Sequence, residues 1–152
     1  LDNDERKLVA QNPHDILITQ VQHMSSSGLR IYPSFNHPCK ELIWKTNLPY
    51  DKAVLIFNGH DRMVERDMKY YQVVQPYNHH TRVPDKNKNI SVYSFALDPE
   101  SMHQPSGSCN FSRVDNVELR LTSTGNITTD LWCVNWNILK IVGGTGGVMY
   151  HN

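Results

Sequence analysis

The chain has 152 residues, with fifteen Lys+Arg against fifteen Asp+Glu and no net charge at pH 7, which argues against the basic excess of a direct nucleic-acid packager. Its length suits a single core, and no apolar run approaches the roughly 20 residues that a membrane-spanning helix needs. Cys39, Cys109 and Cys133 lie far apart and in no CxxC arrangement, which speaks against a zinc knuckle or a disulfide framework and for buried free thiols in a reducing compartment.

The chain opens Leu1-Asp2-Asn3 without an initiator Met, as expected of a fragment of a longer chain. Asp2 can cap a short helix running to Val9, with Glu5 reaching back as the second half of a capping box, and Asn12-Pro13 ends it. After that, short runs rich in Val, Ile, Tyr, Trp and Phe alternate with Pro, Gly, Asn and Ser clusters, the pattern of an all-β protein. Strands are expected at Ile16 to Gln22, Leu29 to Phe35, Glu41 to Thr46, Ala53 to Asn58, Ile90 to Leu97, Asn116 to Thr122 and Leu131 to Ile141. Asn58-Gly59 signals a turn. Asp61 to Tyr71 can hold one or two helical turns before Gln75-Pro76-Tyr77 stops them, and the polar stretch from Asn78 to Asn89 reads as a loop.

Alternation is clearest at Val117, Leu119 and Leu121, with Glu118 and Arg120 on the wet face. Ile90 to Leu97 is apolar on both faces, as a central covered strand would be. In the last run Trp132, Val134, Trp136 and Ile138 share a face opposite Cys133, Asn135 and Asn137. That assigns the two tryptophans, together with Phe95, as core anchors. Short strands with Gly- and Pro-rich connections point to a β-sandwich or jelly roll.

Two blocks carry a family likeness: Val92-Tyr93-Ser94-Phe95-Ala96-Leu97-Asp98-Pro99-Glu100, and Gln104-Pro105-Ser106-Gly107-Ser108-Cys109-Asn110-Phe111-Ser112-Arg113. Agreeing segments are Asn36 to Trp44, Asn58 to Arg62, Gln75-Pro76-Tyr77, and Asn135 to Ile141 with the glycines that follow. In these the chain resembles the major capsid proteins of nucleocytoplasmic large DNA viruses. The resemblance implies a structural virion protein, not an enzyme, whose subunits carry two jelly rolls and form trimeric, pseudo-hexameric capsomers of an icosahedral shell. It also implies contacts with neighbouring capsomers and minor capsid proteins, and assembly in the host cytoplasm with no cofactor.

Lettered by the family pattern, the expected strands run from D to I, so the chain reads as a C-terminal jelly roll lacking its first strands. With sheets ordered B-I-D-G and C-H-E-F, loss of B and C would bare the edges of I and H and leave the piece poorly stable alone. Gln104, Pro105, Ser106 and Gly107 read as a locked turn and possible subunit contact, with Arg113 pairing to Asp115, Glu118 or a neighbour. Of three sequons, Asn126 is the best placed glycan acceptor, and a cytosolic route would leave it bare. The dispersed histidines, with His79-His80 adjacent, suit a surface or interface better than a metal site. The alternative function is a carbohydrate-binding jelly roll, with Trp44, Tyr70, Tyr71 and Tyr77 as stacking platforms.

Overall fold

The computed structural model describes residues 2–150. Helix α1 spans Asn3–Gln11 and both halves of the capping box are in place: Asp2 accepts from the Asp4 and Glu5 amides, and the Glu5 carboxylate accepts from the Asp2 amide. No residue of α1 is buried, so these local bonds rather than packing define it.

The strands are β1 (His14–Ser27), β2 (Arg30–Ile31), β3 (Pro38–Thr46), β4 (Lys52–Phe57), β5 (His60–Asp61), β6 (Arg66–Asp67), β7 (Ile90–Ser94), β8 (Cys109–Asn110), β9 (Val117–Thr122), β10 (Thr128–Val142) and β11 (Thr145–Val148). They form two sheets. One runs β1-β10-β3-β7, with β11 added to β10 and β8 to β3; the other runs β2-β9-β4-β5, with β6 added to β4. These orders read B-I-D-G and C-H-E-F when β1 is strand B and β2 strand C. The expectation that the first two strands are missing is therefore overturned. A fourteen-residue β1 pairs along its whole length with β10, so the edge of strand I is covered, and the argument for instability from a bare I edge loses its premise. The edge of strand H is covered less fully, because β2 contributes only two paired residues to β9.

Strand C is short for a local reason. The run from Leu29 to Phe35 stays extended, burying Ile31, Pro33 and Phe35 alternately, but Pro33 has no amide to give a ladder. Asn58 and Gly59 both take positive φ, 51° and 80°, and join β4 to β5 as the two-residue hairpin that Asn-Gly favours. The stretch expected to be helical from Asp61 first makes β5 and β6. Helical turns start only at Met68 and pass through a π-helical turn (Tyr70–Val74) into α2 (Gln75–His79). Pro76 does not stop the helix: it is the second residue of α2, directly after the π-helical turn. β7 is not central, since it is the last strand of its sheet and ends at Ser94, three residues sooner than expected. Its free edge is closed from the side by α2: the Ser94 amide donates to Gln75 Oε1 at 3.1 Å.

The core between the sheets holds Ile31, Leu42, Trp44, Leu55, Tyr71, Phe111, Leu119, Leu121 and Leu131. Each buried Leu or Ile contributes roughly 1.5–3 kcal/mol over leaving it in water. Cys39 and Cys133 are fully buried there and Cys109 half-buried, all three as free thiols. Cys39 faces Cys109 across β3 and β8, and burial pushes the Cys39 and Cys109 thiols up, away from reactivity. Phe95 packs at the core margin in a ring cluster, 5.1 Å from Tyr93, 5.7 Å from Phe111 and 6.2 Å from Phe57. Glu118, expected to be wet, is 9% exposed and bridged to Arg120 at 2.9 Å.

The faces of β10 are the reverse of the expectation. Thr129, Leu131, Cys133, Asn135 and Asn137 point inward. Hydrogen bonds hold the amide nitrogens of both asparagines: Asn135 Nδ2 donates to Gln22 Oε1 and Asn36 O, and Asn137 Nδ2 to Gln20 Oε1 and Tyr150 O, while Asn135 Oδ1 is buried without a donor among the described residues. Trp132 consequently lies on the outer face of the sheet, outside the core cluster, while Trp136, on the same side of the strand, is buried at 6% exposure but also lies outside that cluster.

Candidate functional site

That outer face is built by register. Opposite Trp132 lie His23 on β1 and Ile43 on β3; opposite Val134 lie Val21 and Glu41; opposite Trp136 and Ile138 lie Thr19 and Leu17. The result is a flat apolar strip on a sheet whose other side is the core. Val21 is 62% exposed, and Leu17 38%, more than a lone surface residue needs to explain it. The His23 ring stacks on Trp132 with centroids 5.0 Å apart. Trp136 is shielded by the Lys40 ammonium, 4.2 Å from its ring centre, while its indole N–H is buried without an acceptor among the described residues.

At the foot of the strip lies a cavity of about 230 Å³ lined by Leu17, Pro38, Pro105, Trp136, Ile138 and Tyr150. Pro105 belongs to the signature turn, so the turn and the apolar strip form one continuous surface. The turn is locked as its residue types suggest. Ser106 Oγ accepts from the Asp98 amide at 2.8 Å and donates to the Asp98 carbonyl at 3.0 Å. Asn110 Oδ1 accepts from the Ser112 amide, and Ser112 Oγ from the His37 amide at 2.9 Å. Gly107 has φ +143°, and a Cβ there would lie 2.8 Å from the Phe95 carbonyl oxygen. Gln104, Pro105 and Arg113 take no part in this locking and are exposed. Arg113 makes no ion pair among the described residues, and Glu118, one of its expected partners, is held by Arg120 and Arg30 instead.

The platforms required by carbohydrate binding are dispersed. Trp44 and Tyr71 pack on each other inside the core, 5.1 Å apart; Tyr70 is half-buried under Arg66, and Tyr77 is exposed. Among the described residues no group of three or more His, Cys, Asp or Glu is placed to hold a metal, and no helix is long and apolar enough to cross a membrane. Of the sequons, Asn126 is exposed beside an exposed Thr128, whereas Ser91 of Asn89-Ile90-Ser91 is fully buried and Asn110 is engaged in the turn.

Residues 45–147 match the family model described as the large eukaryotic DNA virus major capsid protein. The chain belongs to this family. It is 41% identical to the major capsid protein of Pyramimonas orientalis virus over the whole chain and 47% of that relative, and 31% identical to the major capsid protein of Phaeocystis pouchetii virus over the whole chain and 51% of that relative. Its fold superposes on the solved capsid of PBCV-1 with a TM-score of 0.89 at 30% identity, covering all of this chain and 55% of that one. The chain thus spans about half the length of the curated relatives it matches. It has the jelly-roll fold of that family. The outward Trp132 and the exposed Val21 were missed from sequence because alternation gives two faces without saying which is inner. The polar partners Gln20 and Gln22, placed to satisfy Asn135 and Asn137, were the available signal.

Proposed function

We propose that the protein builds the icosahedral shell of a large DNA virus as part of a trimeric capsomer with pseudo-hexagonal outline, and that it performs no catalysis. The observation that carries this reading is the apolar strip of Leu17, Val21, Trp132 and Val134 next to the signature turn, on a sheet that already has its core on the other side. The sandwich is the C-terminal of two jelly rolls in the working subunit, and the strip is covered in the capsomer. Gln104, Pro105 and Arg113, exposed and unused by the turn's own locking, provide contacts to a neighbouring subunit. Adjacent capsomers and minor capsid proteins are the remaining partners, and assembly takes place in the host cytoplasm.

Electron microscopy of the full-length protein tests this. Trimers with a hexagonal outline are the expected result, and monomers that bind immobilised glycans would overturn it in favour of a lectin.

A further inference from the structure

The register of β3 shifts where Val134 faces Glu41 and Asn135 faces Cys39, leaving Lys40 as the extra residue. A bulge of this kind re-aims side chains, and here Lys40 and Glu41 meet two distant segments. His80, directly after α2, brings Nε2 within 3.0 Å of Glu41 Oε2 and Nδ1 within 3.4 Å of Glu100 Oε1, with the His80 and Glu41 side chains 13% and 9% exposed. The His80 and Glu41 atoms are close but not aligned for a hydrogen bond, and neither has another partner among the described residues, so their contact is electrostatic. Glu100 belongs to the loop of residues 97–106, which ends in the signature turn. The Thr81 amide and hydroxyl donate to Glu100 at 3.2 and 3.3 Å, Lys40 Nζ donates to the Ser101 carbonyl at 3.3 Å, and His79 Nδ1 lies 2.9 Å from the Leu97 carbonyl.

We infer that His80 is a pH-operated clasp: as an imidazolium it ties Glu41 on the sheet to Glu100 on the 97–106 loop, and on losing its proton it lets the loop go. The imidazolium places one positive charge within ion-pair distance of both carboxylates, whereas the neutral ring has no charge to hold either. The other charged groups of the network are Lys40 on β3, which interacts with Glu41 and Asp98, Asp98 on the loop, and His79 and Arg82 on the segment of His80 itself. Among the described residues only the two glutamates come within ion-pair distance of the ring. The close approach of Glu41 is the main reason the imidazole holds its proton above the usual histidine range, against burial, with Glu100 adding to it. Glu100 is held below the usual carboxylate range, chiefly by the Thr81 hydroxyl.

The signs follow from those directions. A raised histidine stabilises fully below its unfolded value and loses that contribution as pH climbs through its folded value, so the loop loosens on the alkaline side. A depressed carboxylate contributes above its unfolded value and loses it as pH falls through its folded value, so acid loosens the same contact. Because the loop carries Pro105, opening the clasp alters the edge of the apolar surface. The clasp itself does not depend on the shell reading.

Amide exchange of residues 97–106 in the full-length protein, corrected for intrinsic rate and run alongside a magnetic-resonance titration of the His80 ring, tests it. Protection should fall about tenfold, which is about 1.4 kcal/mol, with a midpoint above about 6.5 that coincides with the ring titration. His80→Gln should give low protection that is flat with pH, and His79→Gln should keep the wild-type step. If His80→Gln does not fold, Glu100→Gln replaces it and should lower the His80 midpoint and shrink the step. A ring titrating at or below the ordinary histidine value, or a step that survives in His80→Gln or is unchanged in Glu100→Gln, overturns the clasp.

Discussion

Replacing Gly107 by alanine is expected to destabilise the protein by about 3 kcal/mol and to lower Tm by roughly 10 °C. Two costs combine. The backbone at φ +143° is open almost solely to glycine, and the new Cβ would meet Phe95 O at 2.8 Å and Ala96 Cα at 3.3 Å, both backbone atoms with no rotamer to yield. Gly28 provides the comparison, since its φ is +110° but a Cβ there meets nothing within 4 Å. Gly28→Ala therefore carries the conformational cost alone, about 1 kcal/mol. A calorimetric melt ranks the two, and a Gly107→Ala protein that melts with Gly28→Ala or above it contradicts the account of the signature turn as a close-packed lock.

Leu131 and Trp132 are adjacent on β10 and point to opposite sides. Leu131→Ala should cost about 3 kcal/mol, because Leu131 is fully buried between the sheets and its loss leaves a cavity. Trp132→Ala should cost only about 1 kcal/mol, since it gives up the stack on His23 at 5.0 Å and little core, while lowering the yield of assembled capsomers. Denaturant unfolding measures the first quantity and sizing of the assembly reaction the second. Had both tryptophans anchored the core, the larger stability loss would fall on Trp132.

That pair also shows how far the sequence could be read. The capping box of Asp2 and Glu5 and the Asn58-Gly59 hairpin depend on residues within a few positions of each other, and the jelly-roll class on short alternating runs, so local chemistry was enough to find them. The place of β1 as strand B and the inward face of β10 depend on partners more than a hundred residues apart, such as Gln22 with Asn135, and the run of each strand alone does not carry that information. Asn135 and Asn137 look like surface residues until their partners are known, which is why alternation pointed the tryptophans the wrong way. The His80 contact is of the same kind: Glu41, His80 and Glu100 come from three segments, and the bulge that aims Glu41 has no signature in the β3 sequence.

Hydroxyl-radical footprinting of Trp132 and Val21, in the free 152-residue chain and in assembled particles, tests most directly whether the outer sheet face is a contact surface. Strong labelling of both residues in the free chain and near-complete protection in the particle is the predicted result. Equal labelling of Trp132 in the two states would contradict it.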